Sequence, residues 1–128
     1  MSSVISVPIS VGELIDKVTI LQIKSRRIKD PAKLANIRSE LSALLVVCTA
    51  HKIDPATPLA RELEEVNEQL WNVEDKIREK ERAKKFDDEF VALARAVYVQ
   101  NDSRFALKCR LNEASGSKLR EEKSYQPY

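Results

Sequence analysis

Residues Asn67, Trp71, Glu74, Arg78 and Glu81 recur at spacings of four, three, four and three, and Asn101, Arg104 and Lys108 at three and four. Both spacings place a row of polar side chains along one face of a helix. If the two rows face each other, a helical bundle holds a layer of amides, an indole and opposed charges. Arg104 and Lys108 would then bind an anionic small molecule, with Asn67, Trp71 and Asn101 lining its site and Glu74 as the acid or base. The alternative for the same residues is structural. Glu74 and Arg78 suit an i,i+4 surface pair, as do Glu13 with Lys17 and Glu81 with Lys85. A tryptophan beside an apolar seam packs, and an asparagine in a seam fixes register.

Other chemistry is thinly represented. The carboxylate pairs Glu13 with Asp16 and Glu62 with Glu65 stand three apart, a spacing that holds magnesium in helical nucleotide pyrophosphatases, but no matching second pair is placed. Glycine-rich phosphate loops, nucleophile elbows and zinc spacings are absent, so neither a metal nor a cofactor is expected. Cys48 and Cys109 fall in different helical segments and read as packed thiols. The flanking Lys108 and Arg110 point away from Cys109 on a helix, so a lowered thiol pKa is not expected there.

Four helical patterns position these residues. Residues 1–9 read as an extended arm in which Ile5, Val7 and Ile9 alternate with polar residues, and Pro8 argues against a central strand. Ser10 and Glu13 form a capping box that opens a helix over 10–29. Asp30 followed by Pro31 opens a second over 31–51 at once. HKIDPATP, residues 51–58, is the linker, with Thr57 capping a third helix over 58–85. Its seam of Leu59, Leu63, Val66, Leu70, Val73 and Ile77 alternates four and three without a miss. Asp87 caps a fourth helix over 88–115, closed by Gly116. Within it VYVQNDSRFALK, residues 97–108, turns polar at its centre yet keeps helical phase, which predicts one continuous helix whose middle packs on the polar row of the third. The tail, 117–128, is either disordered or laid back over the bundle.

Composition agrees. With two glycines, 33% charged and 43% hydrophobic residues, the 128-residue chain suits a single all-α domain, four long helices in a bundle or paired hairpins with a short N-terminal extended arm. Lys and Arg total 22 against 20 for Asp and Glu, so a net charge of +2 gives no call for a nucleic-acid partner. The basic runs 24–29 and 78–85 sit in last helical turns, where the macrodipole favours cations anyway. No apolar run approaches the roughly 20 residues of a membrane span. The opening ten residues lack the basic and apolar regions of a signal peptide, and a cytoplasmic location is expected.

GELIDK (12–17), NEQLWNVEDKIR (67–78), FVALARAVYVQND (90–102) and EEKSY (121–125) resemble a family of small bacterial all-helical proteins known as a domain of unknown function. The resemblance implies no activity and no catalytic residue, but it implies that the EEKSY tail belongs to the domain. ELIDKVTILQIKSRR (13–27) also resembles helical chorismate mutases. That resemblance implies a dicarboxylate held in an often dimeric bundle, with Arg26 or Arg27, Arg104, Lys108 and Glu74 in comparable roles. The reading drawn from the seams is a self-associating module, expected as a homodimer, that binds another protein. Its alternative is a small helical enzyme or binding protein for an anionic metabolite.

Overall fold

The computed structural model describes residues 3–128 and contains four helices: α1 (Val11–Arg27), α2 (Pro31–Ala50), α3 (Pro58–Arg82) and α4 (Asp88–Ser115). All four N-caps fall where the sequence places them. Ser10 Oγ accepts from Glu13 N–H, Asp30 from Lys33, Thr57 from Ala60 and Asp87 from Phe90. The expected starts therefore hold to within one residue, whereas α1 stops at Arg27 instead of 29, and α3 at Arg82 instead of 85.

With only two glycines to end helices, the chain uses lysine. Lys52 and Lys84 take left-handed backbones, φ 55° and 56°, like Gly116 at 66°. Each is followed by an amide that reaches back to a carbonyl of the last turn: Ile53 to Cys48 at 2.8 Å, Lys85 to Lys80 at 3.0 Å, Ser117 to Asn112 at 2.9 Å. This is one C-terminal device used three times, and the final carbonyls are satisfied by it.

α1 is the central element and packs on each of the other three helices. Gly12 meets Asn112, Glu13 meets Lys108 and Asp16 meets Arg104, so α1 and α4 run antiparallel. One core joins Ile15 of α1 to Ala60 and Leu63 of α3 and to Leu107 and Leu111 of α4. A second joins Leu14 and Val18 to Cys48 of α2, flanked by Leu41, Leu44 and Leu45. α2 has α1 as its only helical neighbour, and Val46 is left 66% exposed.

α3 and α4 form a hairpin that outruns the core. At 1.5 Å per residue α3 is about 37 Å long and α1 about 26 Å, so α1 covers only the open end of the hairpin. From Glu68 to Ala106 no residue is buried. The seam the sequence shows on α3 is real, but beyond Leu70 it is half-covered, by α4 alone. VYVQNDSRFALK is part of one uninterrupted helix, as the unbroken phase predicts.

Residues 3–9 form no strand, in keeping with the expected arm, and of the two alternatives for the tail the structure shows the second, with residues 117–128 laid back along α4. The Tyr128 hydroxyl donates to Asp102 at 2.7 Å, its ring meets Tyr98 edge-on, and Lys123 sits 5.1 Å from the centre of the Phe105 ring.

α1 and α4 approach closely at Gly12. A Cβ there would stand 2.5 Å from the Lys108 carbonyl oxygen and 2.9 Å from Asn112 Oδ1. A backbone atom cannot swing aside, so Gly12→Ala should force α1 and α4 apart and cost about 1–3 kcal/mol, read as a lower urea midpoint at unchanged m-value.

Candidate functional site

Asp16 is the buried centre of the polar layer. It projects from α1 among apolar neighbours and is 1% exposed. Arg104 of α4 grips it at two points, Nε to Oδ1 at 3.0 Å and Nη2 to Oδ2. Asn67 of α3 donates through Nδ2 to the same Oδ1 at 2.9 Å and to Thr19 Oγ1 at 2.9 Å. Thr19 spends its hydroxyl proton on the Asp16 carbonyl at 2.8 Å. Three helices thus converge on one carboxylate. The bond to Asp16 pushes the Arg104 guanidinium further up from an already high pKa, against its burial and with help from the charges of Glu13 and Glu121.

One turn along α4, Lys108 is 5% exposed. Its Nζ lies 2.8 Å from Glu13 of α1 and 2.7 Å from Glu121 of the tail. Burial alone would pull this ammonium down, but the bonds from Glu121 and Glu13, with the charge of Asp16, outweigh it, and the net direction is up. Asn112 follows, accepting the Gly12 N–H at 2.6 Å, and Ser117 Oγ accepts that of Val11 at 3.2 Å.

The rows on α3 and α4 therefore do not pair with each other. Asn67 of α3's row and Arg104 of α4's row instead meet on Asp16 of α1, and Lys108 meets Glu13 of α1 and Glu121 of the tail. The physical reason is the Gly12 contact, which draws α1 close enough for Asp16 and Glu13 to reach α4.

Beside this network lies a groove of 350 Å³. It brings together Asn67, Trp71, Glu74 and Arg104, four of the six residues singled out in the sequence, with Ile20 and Leu70 as apolar lining. The other two lie elsewhere. Lys108 is enclosed by its two glutamates, and Asn101 lines a separate hollow of 730 Å³ between α4 and the tail. Glu74 pairs with Arg78 at the surface, the i,i+4 contact anticipated for it.

The cations proposed for an anion are matched by the protein's own acids. Arg26 bonds Glu64 and Glu68, and Arg27 bonds Glu68 while stacking 5.9 Å from the centre of the Trp71 ring. The Arg27 bond, aided by both guanidinium charges, holds the Glu68 carboxyl below the usual carboxylate range. The carboxylate pair weighed for magnesium is likewise divided, Glu13 to Lys108 and Asp16 to Arg104, and no group of three or more potential metal ligands lies together among the described residues. Burial pushes the Cys109 thiol up, and the nearby Glu122, Glu121 and Glu113 push it further, against the pull of Lys108.

A family model described as a family of unknown function (DUF6165) matches residues 5–128. The chain belongs to that family. The DUF6165 match takes in the arm from Ile5 and the whole tail. No curated protein and no solved structure matches the chain.

Sequence reasoning missed Asp16 as the centre and Glu121 and Asn112 as supports. The available signal was that Asp16 and Thr19, three apart, sit within a helix otherwise apolar on most of its circumference. Removing the acid tests the arrangement: Asp16→Ala leaves a partly buried guanidinium unpaired and should cost up to about 3 kcal/mol, the low end for a broken buried pair, while Asp16→Leu with Arg104→Leu should recover most of that loss, measured by urea denaturation. The Lys108 direction carries a sign of its own. A raised folded-state pKa stabilises fully below the unfolded value of about 10.4, and the contribution fades as pH climbs through the folded value. Stability should fall above that pH in the wild type and fall less in Lys108→Met.

Proposed function

We propose that this DUF6165 protein is a self-associating helical interaction module, a homodimer that completes its core with a second copy and presents further surface to a protein partner. The observation that carries the reading is surface area. A compact monomer of 14.6 kDa exposes about 6,900 Å² by the usual scaling with mass, and this chain exposes 9120 Å². The surplus of about 2,200 Å² is large enough to supply one protomer's share of a stable interface.

The patch best suited to a second copy lies where the arm meets α2. Val7 and Ile9 share a small hollow with Val47 and Ile53, and Val7, Val46 and Val47 are exposed. α2 is the element with the least helical cover, so an isologous contact across it would place its open flank against its own equivalent. Two free thiols, Cys48 and Cys109, suit a reducing cytoplasm.

A second reading, a small helical enzyme or binding protein for an anionic metabolite in a chorismate mutase-like pocket, is supported by the groove that gathers Asn67, Trp71, Glu74 and Arg104. Against it stand the protein carboxylates that already occupy its cations.

Sedimentation velocity across a concentration range separates monomer from dimer. The wild type is expected to move to twice the monomer mass as concentration rises, and Val7→Lys with Val46→Lys should hold it at monomer mass with an unchanged helical content, because both positions are exposed, and with a melting temperature that no longer rises with protein concentration. A wild type that stays monomeric at every concentration overturns the proposal.

A further inference from the structure

The Asp16 network leaves specific valences open on the groove. The Thr19 hydroxyl proton is committed to the Asp16 carbonyl, so its oxygen accepts, and the Asp16 carboxylate also accepts. Both neighbours of Asn67 therefore require its amide nitrogen, which fixes the orientation of the amide. Among the described residues its Oδ1 has no hydrogen-bond partner, although the residue is only 6% exposed. Arg104 uses Nε and Nη2 on Asp16, and its Nη1 has no protein partner either. Asn67 Nδ2 and Arg104 Nε share Asp16 Oδ1, and both residues line the groove, which thus has one open acceptor and one open donor among its lining groups beside the Trp71 indole, Ile20 and Leu70. Arg27 stacked on the indole restrains the ring.

We infer that this groove binds a neutral, planar heterocycle that carries both a hydrogen-bond donor and a hydrogen-bond acceptor, as nucleobases do. The ligand's N–H would donate to Asn67 Oδ1, its carbonyl or ring nitrogen would accept from Arg104 Nη1, and its ring would lie against Trp71. A volume of 350 Å³ suits a one- or two-ring molecule. An anion fits less well. A fully ionised carboxylate has no proton for Asn67 Oδ1, Asp16 already neutralises Arg104, and Glu74 pairs with Arg78, the other cation of the groove, while Asp75 borders it. The inference rests on the groove reading of the preceding subsection and changes the ligand's charge and hydrogen-bond pattern.

Trp71 is the only tryptophan in the chain, so its fluorescence reports on this groove alone. Uridine and adenosine are titrated into the full-length protein, with 1,3-dimethyluracil as a ring of similar size that cannot donate, and phthalate as a planar dianion. Saturable quenching by the nucleosides is expected, with dimethyluracil weaker by about tenfold or more because it leaves Asn67 Oδ1 unpaired. Ile20→Phe, which fills the groove from a half-buried position, should abolish the response. If that variant fails to fold, a uridine-dependent shift of the Asn67 side-chain amide resonances in the wild type serves in its place, and its absence counts against the inference. Equal binding of dimethyluracil overturns the hydrogen-bond recognition. Quenching by phthalate alone overturns the inference while upholding an anion site, and no response to any probe removes both.

Discussion

A carboxylate that is 1% exposed governs this fold. An ionised acid removed from water is strongly unfavourable unless it is paired and hydrogen-bonded, so Asp16 dictates where Arg104, Asn67 and Thr19 must stand. Its partners come from positions 51 and 88 residues away, on α3 and α4. Apolar contacts alone would tolerate sliding of one helix along another, because Leu and Ile surfaces are forgiving of register. A two-point guanidinium contact is not. The apolar cores supply the driving force, and the Asp16 network selects one arrangement of the helices from those the cores would accept.

The glycine at position 12 works with this constraint. It lets the α1 and α4 backbones approach until Asn112 reaches the Gly12 amide, and the same approach sets Glu13 against Lys108. The polar contacts form a ladder up one side of α1, with Ser117 at its foot and Arg104 at its head. The tail's Glu121 closes the ladder from outside, which places the last residues of the chain within the domain's electrostatic structure.

Much of this was legible in the residues, for local reasons. Helix starts are written in side chains that bond amides two or three positions away, so Ser10, Asp30, Thr57 and Asp87 could each be read without knowing the fold. Continuity of α4 followed from phase alone. Long-range polarity was less readable. Arg104 and Lys108 were marked as unusual, but the sequence does not say that their partners are Asp16 and Glu13, because a glutamate or aspartate on an amphipathic helix ordinarily faces water. Asp16 differs from a surface acid only through what α3 and α4 bring to it. The exposed lysines at positive φ were equally hidden, since only glycine announces that backbone in advance.

α1 precedes α3 and α4 in the chain, yet it holds the middle of the molecule. During synthesis it is made before Asn67 and Arg104. Until then, α2 is the one helix available to shield it, and α2 covers only the side bearing Leu14 and Val18. The opposite side, with Ile15 and the still solvated Asp16, must wait for α3 and α4. The centrality of α1 thus makes the order of synthesis run against the order of burial, because the middle of the molecule is made before the helices that enclose it.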